Sequence, residues 1–193
     1  MLEHLKKYHL VLASNSPRRK ELLAGLDLTF EVRVLSDIDE SYPDNLSCEE
    51  IPQHISQKKA KAYQSTMADD ELIITADTIV WSDGMVLGKP ADAEAAKQML
   101  RLLSGKVHQV ATGVTLLTKE QQKTFAVVSE VVFDELSDEE IEYYVAHYSP
   151  MDKAGAYGIQ EWIGYVGVAS LKGSYFNVMG LPVQRLYKEL KSF

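Results

Sequence analysis

The chain contains a single cysteine, Cys48, so it can form no internal disulfide, and that scarcity fits a reducing compartment. It lacks any apolar run near the roughly 18 residues that a membrane helix needs, and the apolar stretch near its start is too short for a signal peptide. A cytoplasmic protein with no membrane partner is expected. Positive charge is also scarce: 20 Lys and Arg against 28 Asp and Glu give a net charge of −8. No general nucleic-acid binding is expected, because a phosphate backbone rewards an excess of cations. The five histidines, His4, His9, His54, His108 and His147, are scattered without metal-ligand spacing. No Ser–His–Asp or Cys–His arrangement is legible, and there are no repeats, low-complexity tracts or linkers.

What is present is enough apolar material, 46% of 193 residues, for one domain or two closely joined lobes. Apolar runs alternate with helical patterns, which predicts an α/β fold. Strands are expected at His9–Ala13, Phe30–Val34, Leu72–Trp81, Met85–Leu87, Val107–Leu117 and Thr124–Phe133, with another around Trp162–Ala169. Helices are expected at Pro17–Leu26, Cys48–Met67, Ala93–Leu103, Asp138–His147 and Val183–Leu190. Ser137 with Glu140 makes a capping box, Asp92 an N-cap, and Ser104-Gly105 a helix stop. The long runs flanking Thr118–Lys123 read as an antiparallel hairpin, so the sheet is expected to be mixed.

Ser14-Asn15-Ser16-Pro17-Arg18-Arg19-Lys20 is the most informative stretch. It places small hydroxyl residues and a proline at a helix start whose first turn is cationic. Free N–H groups there attract anions, and cations there oppose the helix dipole unless an anion is bound. A phosphate site accounts for this pattern; a solvated helix start accounts for it too. Asp77 is the second focus, because the residues around it read as a buried strand, where a carboxylate needs a cation, a metal or hydrogen bonds. The Asp83-Gly84 turn pairs Ser82 with Met85, and pairing continued outward sets Thr78 opposite Lys89 and Asp77 opposite Pro90. A break at Gly88 or Pro90 is needed for Lys89 to meet Asp77. Glu40 lies in a carboxylate-rich loop, and with Asp77 it could serve Mg²⁺, which takes one or two carboxylates plus substrate oxygens. On the next helix Ile51, Ile55 and Ala62 mark the apolar stripe, with Lys58 and Lys59 at its edges; periodicity does not choose between them. His108 reads as structural and the Glu130–Glu142 acidic run as a solvated face. Gln160 follows a glycine-bearing stretch and offers both donor and acceptors, which suits a nucleobase edge.

These residues resemble the Maf family of nucleoside triphosphate pyrophosphatases. The likeness is carried by Ala13–Arg19, Ile38-Asp39-Glu40, Lys59-Ala60, Ala76–Val80, Gly88-Lys89-Pro90, Leu103–His108, Thr112-Gly113-Val114, Asp152–Gln160, Gly173-Ser174-Tyr175 and Gly180-Leu181-Pro182. The motifs run in order through nearly the whole chain. The resemblance implies an inosine-triphosphatase-like (Maf/Ham1) α/β fold over residues 1–193: an elongated mixed sheet flanked by helices, with two lobes around a deep cleft. It implies cleavage of a nucleoside triphosphate between the α- and β-phosphates with a divalent metal cation, Mg²⁺ or Mn²⁺. It also implies a homodimer. Asp77 matches the family's acid/base and, with Glu40, its metal site. Ser14, Ser16, Arg19, Lys59 and Lys89 match positions around the phosphates, which selects Lys59 over Lys58. Arg18, Thr78 and Gln160 match the selectivity positions of the branch acting on dTTP and UTP. Whether Asp77 takes a proton or chiefly holds metal stays open, as does a rival role as a nucleotide-binding regulator of cell division. The chain departs from the pattern after Gln160, where Glu161 stands in place of the usual glycine.

Overall fold

The computed structural model describes residues 2–193. The expected alternation appears as β1 (His9–Leu12), α1 (Pro17–Ala24), β2 (Glu31–Val32), α2 (Glu50–Tyr63), β3 (Glu71–Ser82), β4 (Met85–Leu87) and α3 (Ala93–Leu103). It continues with β5 (Val107–Leu117), β6 (Gln122–Phe133), α4 (Asp138–Tyr148), α5 (Trp162–Val166), β7 (Val168–Lys172), α6 (Tyr175–Met179) and α7 (Val183–Lys191). The strands form one seven-stranded sheet in the order β2-β1-β3-β5-β6-β7, with β4 paired to β3 off that path. β1 runs parallel to both β2 and β3, whereas β3–β4 and β6–β7 are antiparallel, so the sheet is mixed as expected.

Local signals act where the sequence placed them. The Ser137 hydroxyl accepts the Glu140 N–H at 3.2 Å, and the Glu140 carboxylate accepts the Ser137 N–H at 2.7 Å. Asp92 caps α3 through the Ala95 N–H at 2.8 Å, and Gly105 at φ 66° follows its end. Asp83 and Gly84 both have positive φ, 51° and 79°, the geometry of a two-residue hairpin turn.

Three expectations are corrected. The stretch around Trp162–Ala169 is not one strand: Trp162–Val166 is helical and β7 begins at Val168. Dense apolar residues there hide a helical spacing in which Gly164 lies against the Ile159 carbonyl, with an added Cβ only 1.8 Å from that oxygen. The β3–β4 ladder ends at Val80↔Leu87, so neither Thr78–Lys89 nor Asp77–Pro90 pairs by continuation. Gly88 instead turns its carbonyl to the Gly155 N–H at 3.1 Å, which breaks the strand. On α2 the buried residues are Ile51, Pro52, Ile55, Ser56, Ala60 and Tyr63, and Ala62 is only half-buried, packed against the edge of the same cluster.

The chain divides into two compact units. One runs to Asp77 and takes in Thr112–Val127 and Gly180–Phe193; the other is Thr78–Ala111 with Val128–Met179. In the first, Val11, Ala13, Ala60, Tyr63, Met67, Ile73 and Leu117 form an apolar cluster that seats α2 on β1 and β3. α2 packs so closely on β5 that a Cβ on Gly113 would fall 2.3 Å from the Pro52 carbonyl group. In the second, Leu100, Leu103, Val131, Phe133, Ile141, Tyr144, Tyr157 and Ile163 lie in a cluster that draws on α3, α4 and the sheet.

Candidate active site

The first unit assembles its polar residues at the end of β1 and the middle of β3. Beyond Leu12, the Ala13 N–H still bonds the Ile74 carbonyl at 2.9 Å, and the chain then turns into α1. Ser16 caps that helix by accepting the Arg19 N–H at 3.4 Å, with Pro17 in the first turn. The buried Ser14 hydroxyl accepts the Ser16 N–H at 3.2 Å and the Arg19 Nη1 at 3.4 Å. Arg19 also donates from Nη1 to the Ala76 carbonyl at 2.8 Å and from Nε to the Gly180 carbonyl at 2.9 Å. Its fork thus ties the α1 start to the peptide just before Asp77. Burial pushes the Arg19 guanidinium down from its ordinary pKa, and the Asp77 charge acts against that shift. Arg18, half-buried, occupies the same first turn.

Across from this loop, α2 presents one lysine to two carboxylates. Lys59 Nζ lies 2.8 Å from Asp77 Oδ1 and 2.9 Å from Glu40 Oε1. The Lys59 and Asp77 side chains are 14% and 12% exposed, whereas that of Glu40 is 56% exposed, so a sheltered pair meets a solvated third group. Local geometry explains the aim. Ser56 and Lys59 are three apart on α2 and share a face, and Thr75 and Asp77 are two apart on β3 and share a face. The Thr75 hydroxyl donates to the Ser56 carbonyl at 2.7 Å, and the Ser56 hydroxyl bonds Thr115 Oγ1 at 2.9 Å. These bonds set the helix against the sheet one turn before Lys59. Lys58 turns elsewhere, to Asp39 at 2.6 Å and the Ser41 carbonyl at 2.9 Å. The Lys58 ammonium holds the Asp39 carboxyl well below its usual pKa. Of the two lysines, Lys59 is the one that meets Asp77, and Lys58 the one that meets Asp39.

Asp77 is the last residue of this unit, and Thr78 the first of the other. In the second unit Thr78 is half-buried on β3, and Lys89 is exposed just past the Gly88 break. Gln160 ends the stretch Lys153–Gln160, and its side-chain amide oxygen Oε1 is buried with no hydrogen-bond partner. Behind it stands a network that sequence reasoning missed. Lys153, 7% exposed, reaches Asp152 at 2.8 Å and Glu161 at 3.1 Å, and the Tyr144 hydroxyl donates to Glu161. Burial, reinforced by the Glu161 carboxylate, pushes the Tyr144 phenol up, so it stays a donor. A lysine set among small residues was the available signal.

Ser14, Ser16, Arg19, Lys59, Glu40 and Asp77 are therefore joined in one unit, with Arg18 beside them, while Thr78, Lys89 and Gln160 belong to the other. Two carboxylates around one cation make a position suited to a small hard cation, since Mg²⁺ and Mn²⁺ favour oxygen ligands. Among the described residues no group of three or more His, Cys, Asp or Glu could form a protein-only metal cage.

The chain is similar to known proteins over nearly its whole length. The family model described as Maf-like protein matches residues 9–193. A Phocaeicola vulgatus protein named dTTP/UTP pyrophosphatase is 65% identical over 191 residues, 99% of both chains. A protein of the same name from Parabacteroides distasonis is 64% identical over 193 residues, the whole of both chains. The structure of a HAM1 protein from Coxiella burnetii shares the fold with a TM-score of 0.52 at 17% identity, covering 96% of this chain and 100% of that one. By the match to its family model and by these relatives, the chain belongs to the Maf-like family.

Proposed function

We propose that this chain hydrolyses dTTP and UTP between the α- and β-phosphates, releasing the nucleoside monophosphate and pyrophosphate and so limiting unwanted pyrimidine nucleotides. The observation that carries the reading is the Lys59 ammonium held between Asp77 and Glu40, beside a serine-lined turn and Arg19. Family membership and the names of the two relatives support the substrate class. Ser14, Ser16, Arg19, Lys59 and Lys89 take the triphosphate, where fixed cations stabilise the charge that develops on the leaving pyrophosphate. Arg18, Thr78 and Gln160 take the base. Asp77 orients the attacking water and accepts its proton, or shares that work with a metal. Glu40 and Asp77 would hold Mg²⁺ or Mn²⁺, with phosphate oxygens and waters as the remaining ligands. Such an ion, when bound, neutralises phosphate charge and lowers the pKa of bound water. The whole chain acts as a single domain, as a homodimer in the cytoplasm; among the described residues no helix is long and apolar enough to cross a membrane.

A panel of nucleoside triphosphates with Mg²⁺ or Mn²⁺ and separate detection of pyrophosphate and orthophosphate tests this. Pyrophosphate released first from dTTP or UTP is expected. Orthophosphate as first product, or saturable binding without turnover of any nucleotide, would defeat it. Asp77→Asn should lower kcat by about a hundredfold or more, the range of general acid–base contributions, while the variant still folds and unfolds cooperatively. Near-normal turnover in that variant removes Asp77 from the chemistry.

A further inference from the structure

The turn that carries Gln160 is locked from behind by buried polar groups that the roles above leave unused. The Gly158 N–H donates to the Tyr144 hydroxyl oxygen at 3.0 Å, and that hydroxyl donates in turn to Glu161 Oε2. The other oxygen, Glu161 Oε1, lies 3.1 Å from Lys153 Nζ, which also reaches Asp152 Oδ1 at 2.8 Å. The Glu161 N–H closes the turn on the Gly158 carbonyl at 3.0 Å. Glu161 is thus held at both carboxylate oxygens and, through Tyr144, tied to the peptide two residues before Gln160. There is no slack: a Cβ on Gly158 would stand 3.0 Å from both Gln160 Nε2 and Glu161 Cδ, and 3.1 Å from Lys153 Cε. The Gln160 amide nitrogen and the Glu161 carboxylate therefore crowd one side of the same glycine.

This matters because a glutamine amide has two faces. Uracil and thymine present an N–H flanked by carbonyl oxygens, whereas cytosine presents a ring nitrogen acceptor beside an amino group. The amide complements the first in one orientation and the second after half a turn. The terminal glutamine torsion is soft and roughly two-fold, so an unrestrained Gln160 would accept either base. The Gln160 side-chain amide oxygen has no protein donor to hold it. The Glu161 carboxylate, shared with Lys153 and Tyr144, stands with the Gln160 amide nitrogen against the same glycine, and its remaining negative charge favours the amide with its NH₂ end toward it and its oxygen away.

We propose that Glu161, held by Tyr144 and Lys153, is a positioning residue that fixes the Gln160 amide and so selects uracil- and thymine-bearing triphosphates against cytosine-bearing ones. This rests on the reading of Gln160 as the base contact. It assigns a use to the residue at which the chain departs from the glycine of its family's pattern.

The test compares kcat/KM for UTP and CTP in the full chain and in Glu161→Ala, Glu161→Gln, Tyr144→Phe and Gln160→Ala. Glu161→Ala should lower the UTP/CTP ratio about tenfold, chiefly through KM, with kcat for UTP changed much less. Glu161→Gln keeps an acceptor for Tyr144 and should recover part of the ratio; Tyr144→Phe should fall between it and the parent. If Glu161→Ala leaves the ratio intact while Gln160→Ala changes it, the positioning role is wrong and the Gln160 reading stands. If Gln160→Ala leaves the ratio intact, the base contact itself is misassigned and the proposal fails with it. Equal losses toward both nucleotides together with a lowered melting temperature would show a merely structural role and also overturn it. Should Glu161→Ala not fold, Glu161→Gln and Tyr144→Phe carry the same comparison. Calorimetric binding of UMP and CMP reads the ratio independently of turnover.

Discussion

At the scale of single residues, the central fact is a lysine serving two carboxylates of unequal exposure. A sheltered ion pair contributes little to stability when intact, but removing one partner strands the other. Lys59→Met should therefore lower both stability and turnover, because Asp77 loses its 2.8 Å partner and the phosphates lose a cation. Combined with Asp77→Asn, the stability losses should fall short of additive by about 0.5–3 kcal/mol, the range for residues in direct contact. Urea unfolding of the two single variants and the double variant measures this, and additive losses would mean the contact has no energetic weight. Position 59 was nearly legible in the sequence, since helical spacing reached Lys58 and Lys59 but stopped there. The two lysines are 100° apart on a helix, and the seat of α2 on the sheet, with the bonds of Ser56 to Thr75 and Thr115, turns one toward Asp77 and leaves the other with Asp39.

At the scale of elements, α2 is aimed by its seat on the sheet. Gly113 on β5 admits the Pro52–Gln53 backbone so closely that any side chain would have to displace the helix. Gly113→Ala should destabilise the protein by about 2 kcal/mol or more, as overpacking does, and reduce turnover without touching any proposed site residue. Melting temperature and kcat measured together check this; unchanged values for both would mean the contact relaxes at no cost. The motif Thr112-Gly113-Val114 was visible in the sequence, but its purpose was not, because the partner backbone lies about sixty residues earlier in the chain. Turns and caps behaved oppositely. Asp92, Ser137 with Glu140, and Asp83-Gly84 act within four residues of themselves, so their outcome was readable directly.

At the scale of the whole molecule, the acid side of the stability curve is expected to depend on His108. It is buried, with Nε2 2.7 Å from the Tyr157 hydroxyl, ring edges of Phe133 and Tyr157 against it, and Nδ1 without a partner. Burial pushes its pKa down to about 4 from 6.5. Between those values the unfolded chain binds the proton and the folded protein does not, so stability falls as pH drops through that window and levels off below it. Within the window the slope approaches about 1.4 kcal/mol per pH unit. Denaturant titrations between pH 7 and 5 should show this loss, and His108→Gln should flatten it; an equally steep loss in that variant would assign the proton elsewhere. The carboxylates held low by cations, Glu71 by Arg33 and Glu189 by Lys123 and Arg185, lose their contribution only below the ordinary carboxylate range.

Local chemistry in the sequence determined the α/β class, the mixed sheet, the capped ends of α3 and α4, and the hairpin turn. Each of those rests on interactions between near neighbours in the chain, where periodicity and capping act. The full set of candidate site residues from Ser14 to Gln160 is what the resemblance to the Maf family implies. Tertiary structure alone decided that Lys59 rather than Lys58 meets Asp77, and that Arg19 reaches a carbonyl 161 residues away. It alone decided that β4 stops at Leu87, that Trp162–Val166 coils instead of extending, and that Glu161 is gripped by Tyr144 and Lys153 behind Gln160. Those outcomes depend on which surfaces pack together and on which buried polar groups must find partners there, and no window of neighbouring residues contains that information.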